Sequence, residues 1–193
     1  MSRLILASAS PRRRQLLEDR LGLAVQVVPA DIDEAAKHGE APAAMVQRLA
    51  RRKVAAVEAG PDDLVVAADT VVIADGEVLG KPEDANKARF MLQALSGREH
   101  SVLTGVAVRL GAKQASGVDR TKVRFRRLTQ AEIQWYVDTG EPLDKAGAYG
   151  IQGLGGMFVE HLEGSETSVI GLPLGRLAVL VQSVGANLTD YRA

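Results

Sequence analysis

The sequence predicts an α/β fold with a mixed β-sheet, and two observations carry this prediction. Short apolar runs typical of buried strands alternate with segments of helical periodicity from one end of the chain to the other. Some neighbouring strands are separated only by a tight turn such as Asp75-Gly76, which indicates hairpins beside the parallel pairs. With 193 residues, the chain is long enough for one domain or two closely joined lobes.

The strands are predicted from apolar runs and from alternation of apolar and polar residues. In chain order they are Leu4–Ala7, Ala24–Val28, Leu64–Ile73, Glu77–Leu79, Ser101–Leu110, Ala115–Arg126 and Phe158–Leu162. A glycine-rich stretch over residues 140–157 is expected to be a long structured loop.

The helices are predicted from apolar residues at helical spacing and from their end signals. Ser10 is a good N-cap, and Pro11 suits the first helical position. Thr129-Gln-Ala-Glu132 has the pattern of a capping box. The predicted helices are Pro11–Asp19, Pro42–Glu58, Pro82–Leu95, one reaching Asp138, and a last one that begins at Pro173.

The most informative segment is Ser-Ala-Ser-Pro-Arg-Arg-Arg-Gln-Leu-Leu at residues 8–17. A strand, a capped turn and a helix N-terminus here precede three arginines. Cations are unfavourable at this end of a helix because it already carries partial positive charge. An anion is therefore expected opposite the arginines, and the arrangement is typical of a phosphate site.

Other candidate groups lie further along the chain. Asp69 interrupts an apolar strand, where a carboxylate is costly unless it is paired, coordinated or open to a cleft. It is interpreted as a general base, a metal ligand or a strand-end cap. Lys81 precedes a helix, and Lys53 lies on a helix with three arginines whose charge is expected to be mostly exposed. In the glycine-rich stretch, polar contacts could come from Asp144, Lys145 and Gln152.

Composition excludes several classes of protein. Lys+Arg and Asp+Glu are both 24, and aromatic residues make up 4%, which disfavours a duplex- or single-strand-binding protein. There is no cysteine, and the three histidines lack metal-ligand spacing. No apolar run is long enough to cross a bilayer and no signal-peptide pattern is present, so a cytoplasmic location is expected. Neither a P-loop nor a G-x-S-x-G elbow occurs.

Five segments in order closely resemble the Maf family of nucleoside triphosphate pyrophosphatases over nearly the whole chain. They are Leu6–Leu17, Ala67-Ala-Asp-Thr-Val71, Gly80-Lys-Pro82, Asp144–Gly156, and Gly164-Ser165 with Val169–Leu174. The resemblance implies one domain over 1–193, with two lobes and an elongated mixed sheet around a deep cleft. The fold is also similar to that of pyrophosphatases that remove inosine triphosphate.

The resemblance also implies a reaction, in which a divalent metal (Mg²⁺, Mn²⁺ or Co²⁺) assists hydrolysis of a nucleoside triphosphate to a monophosphate and pyrophosphate. The form similar to this chain prefers dTTP and UTP, and a homodimer is implied. By residue, the resemblance makes Asp69 the proton acceptor and, with Glu34, a metal ligand. Phosphate contacts fall on Ser8, Arg13, Lys53 and Lys81, and base selection falls on Arg12, Thr70 and Gln152.

Three other functions remain open at this point. One is the same reaction on 7-methyl-GTP or another modified nucleotide, which Thr70 and Gln152 argue against. The second is a non-catalytic regulator, since the family name is associated with inhibition of septum formation. The third is a structural component of a dimer. Release of pyrophosphate distinguishes the enzyme from the regulator.

Overall fold

The computed structural model describes residues 2–193, and it confirms a mixed α/β architecture. The strands are β1 Leu4–Leu6, β2 Val25–Val27, β3 Leu64–Ala74, β4 Glu77–Leu79, β5 Glu99–Leu110, β6 Lys113–Phe125 and β7 Val159–Glu163. The α-helices are α1 Pro11–Glu18, α2 Pro42–Ala56, α3 Ala85–Leu95, α4 Gln130–Asp138, α5 Glu166–Ile170 and α6 Leu174–Val184. Short 3₁₀ turns span Glu141–Asp144, Ala146–Ala148, Leu154–Phe158 and Leu188–Tyr191.

The strands form one mixed sheet in the order β2-β1-β3-β5-β6-β7, with β4 paired to β3. Strand β1 is parallel to both β2 and β3. Strand β4 is antiparallel to β3, and β7 is antiparallel to β6. Parallel pairs with helical connections and antiparallel hairpins therefore coexist, as the sequence predicts.

The chain divides into two compact units. The first comprises the chain up to Asp69, with Thr104–Asp119 and Gly171–Ala193. The second comprises Thr70–Leu103 and Arg120–Ile170.

In the first unit, the chain reverses its direction of travel across the sheet at β1. Helix α1 leads from β1 to β2, which lies on one side of β1 in the sheet. Helix α2 then leads from β2 to β3, which lies on the other side of β1. In parallel sheets, such a reversal leaves room beside the carboxyl ends of the strands, where ligands bind. The order of elements in this unit therefore marks the carboxyl ends of β1 and β3 as the place to search for a site.

Helix α2 packs against one face of these parallel strands. Ile5 and Val65 on that face are buried with Ala50 and Val54 of the helix. Gly105 permits a close approach, because a Cβ atom there would overlap the carbonyl of Val46 in α2. The absence of a side chain at Gly105 thus allows the backbone of α2 to pack close to the sheet.

The second unit has an aromatic core. The Phe125 ring lies 4.7 Å from the Tyr149 ring and 5.9 Å from the Phe158 ring, between centroids. The Tyr136 ring meets Phe158 edge to face at 5.0 Å. Such pairs contribute about 0.5–1.5 kcal/mol beyond area burial. These ring contacts join Tyr149 of the glycine-rich stretch to Phe125 of β6, and through Phe158 they reach Tyr136 of α4.

The sequence placed most elements correctly and missed a few. Helix α3 begins at Ala85, three residues later than predicted, because Asp84 caps it by accepting from Lys87 N at 2.8 Å. The capping box at Thr129 is present. The short helix α5 and the last 3₁₀ turn were not predicted. Among residues 2–193, no helix combines the length and apolar composition needed to cross a bilayer.

Candidate active site

The turn between β1 and α1 holds Arg13 in a fixed position. Ser10 caps α1 by accepting from Arg13 N at 3.5 Å. Arg13 Nη1 donates to the Ser8 hydroxyl at 3.0 Å, and Arg13 Nε donates to the carbonyl of Gly171 at 2.8 Å. Ser8 is buried and also accepts from Ser10 N at 3.3 Å. These contacts orient the guanidinium, because its Nε and Nη1 atoms both donate hydrogen bonds to the protein.

The electrostatic surroundings of Arg13 contain both signs of charge. Burial lowers the pKa of the Arg13 guanidinium, and the charge of Arg12 lowers it further. The carboxylates of Asp69 and Glu34 act in the opposite direction on the same pKa. An arginine stays protonated under these conditions because its ordinary pKa is so high. Arg12, Glu34 and Asp69 therefore lie close enough to Arg13 to share one electrostatic environment.

Lys53 is a buried cation in the last turn of α2. It is 7% exposed, and its neighbours on the apolar side of the helix are Leu49, Ala50 and Val57. A buried ammonium is costly unless it is paired. Lys53 Nζ lies 2.7 Å from Asp69 Oδ1 and 2.7 Å from Glu34 Oε1, so two carboxylates compensate it. The prediction of a mostly exposed charged face is wrong for this residue.

Asp69 is positioned by the alternation of β3. Val65 and Ala67 face α2, and the same alternation places Asp69 on that face, one step beyond the buried strand core. Its side chain is 13% exposed. The carboxylate therefore contacts Lys53 of α2 and does not cap a nearby loop. Leu6, the last residue of β1, pairs with Val66, so Asp69 lies three residues beyond the part of β3 that pairs with β1.

The loop that carries Glu34 is attached to α2 on both sides of this residue. Arg52 Nη1 donates to the carbonyl of Asp33 at 2.8 Å, and Arg48 Nη2 donates to the carbonyl of Ala35 at 3.1 Å. Arg48 also binds Glu40 through two hydrogen bonds of 2.6 Å each. This bidentate pair lowers the pKa of the Glu40 carboxyl to about 2. Three of the four basic residues of α2, namely Arg48, Arg52 and Lys53, therefore contact this loop.

The donors near Lys53 suit a hard divalent cation. Carboxylate oxygens are the ligands that Mg²⁺ and Mn²⁺ prefer, and Mg²⁺ is commonly bound through one or two carboxylates plus substrate phosphates. Glu34 and Asp69 supply two such groups from two different elements. No cluster of three or more His, Asp or Glu residues with metal-ligand geometry is found within residues 2–193.

The remaining three predicted residues belong to the second unit. Thr70 is half-buried in β3, and Lys81 is exposed between β4 and α3. Gln152 is exposed within a turn in which Gly153 N donates to the carbonyl of Gly150 at 3.2 Å. The structure thus gathers Ser8, Arg12, Arg13, Glu34, Lys53 and Asp69 in the first unit and holds Thr70, Lys81 and Gln152 in the second.

The glycine-rich stretch is organised by residues that the sequence did not single out as functional. Glu141 accepts hydrogen bonds from the backbone near Gln152, at Leu154 N and Gly155 N. Lys145, which the sequence offered as a candidate ligand group, instead bonds the carbonyl of Glu141 at 2.6 Å and Asp144 Oδ1 at 2.6 Å. A sequence signal exists only for the glycines, because a carboxylate in a polar loop has no distinctive pattern.

Comparison with known proteins places this chain in a family. Residues 3–184 match the family model described as Maf-like protein. The dTTP/UTP pyrophosphatase of Anaeromyxobacter dehalogenans is 57% identical over 96% of each chain, and that of Chromobacterium violaceum is 50% identical over 97% of each. A HAM1 protein from Coxiella burnetii has a TM-score of 0.45 at 17% identity, covering 67% of this chain and 76% of that one.

The fold and the charged cluster define an α/β protein with a candidate polyanion site at the carboxyl ends of parallel strands. The family match covers residues 3–184, which is nearly all of the chain. The chain belongs to the Maf-like protein family, which confirms that resemblance.

Proposed function

We propose that this chain is a nucleoside triphosphate pyrophosphatase that hydrolyses dTTP and UTP to the monophosphate and pyrophosphate. The observation that carries the proposal is the meeting of Arg13, Lys53, Glu34 and Asp69 beside the ends of β1 and β3. Two cations beside two carboxylates provide phosphate binding and base catalysis in one place. The names of relatives at 50–57% identity support the choice of substrate.

Arg13, Lys53, Ser8 and Lys81 would bind the phosphates. Dense negative charge on a triphosphate repels an attacking water, so fixed cations lower the barrier by stabilising that charge. Arg13 is already oriented by Ser8 and the Gly171 carbonyl, which reduces the entropy that binding must cost. Lys81 is exposed on the second unit, and its ammonium would serve as a further point charge.

Glu34 and Asp69 would hold the divalent cation. When bound, Mg²⁺, Mn²⁺ or Co²⁺ supplies neutralisation of phosphate charge. The two carboxylates fit this cation because they come together on one ammonium from separate elements. Arg48 and Arg52 keep the Glu34 loop against α2, so the ligand spacing is maintained.

Asp69 would act as the general base. Lys53 Nζ donates to its Oδ1 at 2.7 Å, which orients the carboxylate that would accept a proton from the attacking water. The water oxygen then forms a bond to the α or the β phosphorus, and the bond from that phosphorus to the oxygen bridging the two breaks. The bridging oxygen leaves with the electron pair, on pyrophosphate after attack at the α phosphorus or on the monophosphate after attack at the β phosphorus. A positioned base of this kind contributes about 10²–10⁴-fold to the rate.

Arg12, Thr70 and Gln152 would select the base. The Gln152 side chain offers both a donor and an acceptor, which matches the imide edge shared by uracil and thymine. Guanine and cytosine present different patterns, and a buried polar group left without a partner costs about 1–3 kcal/mol. Selection by hydrogen bonding therefore favours dTTP and UTP together.

The test is a nucleotide panel with and without divalent metal, with released pyrophosphate as the readout. We expect kcat/KM to be highest for dTTP and UTP and lower for CTP, GTP and 7-methyl-GTP. Preference for 7-methyl-GTP would reject the choice of substrate but keep the reaction. Absence of pyrophosphate release from every nucleotide would reject the enzyme and favour the regulatory alternative.

The proposal extends to the setting of the enzyme. A cytoplasmic location, a homodimer, the absence of nucleic-acid partners and a single two-lobed domain remain predictions from the sequence and the family resemblance. Light scattering during gel filtration measures the mass in solution and tests the homodimer directly. A mass close to the 20.5 kDa of one chain would contradict it.

A further inference from the structure

The turn that carries Gln152 is tied at both ends to two side chains of the second unit. Gly150 N, two residues before Gln152, donates to the Tyr136 hydroxyl at 3.2 Å. Leu154 N, two residues after it, donates to Glu141 Oε2 at 3.0 Å. Between these points the turn is closed by the bond from Gly153 N to the Gly150 carbonyl. The backbone of Gln152 is therefore fixed on both sides.

Glu141 joins the two ties into one network. Its Oε1 accepts from the Tyr136 hydroxyl at 2.9 Å and from Gly155 N at 3.3 Å. Burial raises the pKa of Tyr136, and the hydrogen bond to Glu141 raises it further, so the hydroxyl stays protonated and donates. The same hydroxyl oxygen accepts a hydrogen bond from Gly150 N, so Tyr136 links Glu141 to the start of the turn.

Only a carboxylate satisfies all three donors. An ionised carboxylate accepts at both oxygens, whereas an amide presents one acceptor and one donor. In glutamine, the NH₂ group would face either Leu154 N or the pair formed by Gly155 N and Tyr136. Each orientation places donors against each other and leaves a backbone N–H of the turn without its partner.

The glycines of the turn are fitted closely around this network. A Cβ atom at Gly153 would overlap Glu141 Oε1, and one at Gly155 would lie 2.7 Å from the Tyr136 hydroxyl. A Cβ atom at Gly150 would lie 2.6 Å from Cε of Lys145. Close packing on three sides means that the turn cannot shift independently of Glu141 and Tyr136.

We propose that Glu141 is a positioning residue for base selection, acting through the backbone of Gln152. This inference rests on the proposed function, in which Gln152 reads the pyrimidine base. Glu141 itself touches neither substrate nor metal in this account. It fixes the direction from which the Gln152 amide meets the base, so it affects the choice between nucleotides more than the rate of the chemical step.

The experiment measures kcat and KM for dTTP and CTP in Glu141→Gln. We expect the ratio of kcat/KM for dTTP over CTP to fall about tenfold, with most of the change in KM for dTTP and little in kcat. Asp138→Asn, which removes an exposed carboxylate next to the same region of the chain, is the matched control and should keep the ratio. Tyr136→Phe should lower the ratio in the same direction and serves if Glu141→Gln fails to fold.

A double-mutant cycle separates positioning from general destabilisation. In a Gln152→Ala background, Glu141→Gln should cause no further loss of the ratio. Leu95→Ala, a core substitution in the second unit, should lower the melting temperature but keep the ratio. An unchanged ratio in Glu141→Gln, an equal loss in the Gln152→Ala background, or an equal loss in Leu95→Ala would each overturn the role of Glu141.

Failure of the proposed function gives a different result. In that case the unmodified chain releases no pyrophosphate, or Gln152→Ala leaves the ratio unchanged, and the inference about Glu141 falls with it. If the unmodified chain prefers dTTP and Gln152→Ala abolishes that preference, while Glu141→Gln keeps it, only the positioning role is rejected.

Discussion

The two units position their candidate functional residues by different means. In the first unit, charged side chains hold one another: Lys53 meets Asp69 and Glu34, and the Glu34 loop is bound by arginines of α2. In the second unit, the turn with Gln152 is held through its own backbone, by one carboxylate, one hydroxyl and close packing at glycines.

This difference matches what each group would recognise under the proposed function. A triphosphate is recognised by charge, and an ion network tolerates small displacements because Coulomb interactions vary gradually with distance. A base edge is recognised by hydrogen bonds, whose strength falls steeply with poor geometry. We therefore expect changes of charge in the first unit to affect rate, and changes of shape in the second unit to affect selectivity.

The largest expected effect is that of Asp69→Asn. Asparagine can still accept from Lys53, but it cannot take a proton from water, so kcat for dTTP should fall about 10²–10⁴-fold. The selectivity for dTTP over CTP should change little, because Gln152 is unaltered. Pyrophosphate release measures both quantities, and circular dichroism verifies folding. Asp62→Asn, at an exposed position, is the control, and near-normal turnover by Asp69→Asn would refute the base.

Acid should destabilise the second unit through His100. This side chain is 3% exposed, its Nε2 lies 2.8 Å from the Tyr149 hydroxyl, and among the described residues no group hydrogen-bonds its Nδ1. Burial lowers the pKa of His100 to about 4. The unfolded chain therefore binds the proton first, and stability should decline as pH falls from about 6.5 towards 4, by about 3 kcal/mol in full.

The contrast with the first unit makes this prediction specific. The Glu40 carboxyl paired with Arg48 has a pKa of about 2, so its contribution is complete above the unfolded value of about 4.5 and is lost only as pH falls towards 2. Urea unfolding between pH 7 and about pH 5.5, above the range in which carboxyls of the unfolded chain titrate, should show the loss from His100 as the largest pH-dependent change. A His100→Gln variant with the same pH slope as the unmodified chain would contradict the assignment.

Gly153→Ala should lower the preference for dTTP over CTP through a steric effect, without any change of charge. The added Cβ atom would overlap the Glu141 carboxylate without altering any charge, so either this side chain or the turn that it binds must move. Overpacking of this kind costs about 1–3 kcal/mol, and we expect the dTTP preference to fall about tenfold while kcat is largely kept. Gly175→Ala, where a Cβ atom meets nothing within 4 Å, is the control. A loss of kcat equal to the loss of selectivity would remove the distinction between the units.

Local signals in the sequence predicted much of the fold and part of the site. Ser10 and Thr129 were recognised as caps because capping depends on residues three positions apart. Asp69 stood out because a carboxylate is rare inside an apolar strand. Contacts between distant residues had no such signal: Arg13 meets the Gly171 carbonyl across 158 positions of sequence.

The burial of Lys53 was indicated by its spacing from apolar residues of α2, but this spacing was misinterpreted. Lys53 lies four residues after Leu49 and four before Val57, on the apolar side of α2, so its position already indicated burial. The neighbouring arginines suggested a solvated charged face instead. Arg48 and Arg52 could not be assigned from the sequence, because their partners, two backbone carbonyls and the Glu40 carboxylate, lie in a loop with no regular structure.

The smallest expected effect distinguishes Arg48 of α2 from its neighbour Arg51 on the same helix. Arg48→Met removes the bonds to Glu40 and to the Ala35 carbonyl, so the Glu34 loop should loosen and kcat/KM for dTTP should fall about twofold to tenfold. The divalent metal concentration for half-maximal activity should rise as well, because Glu34 is displaced. Arg51→Ala, an exposed neighbour on the same helix, should change neither value. Equal effects of Arg48→Met and Arg51→Ala would indicate that only the net charge of α2 matters, and that the loop is not positioned by specific contacts.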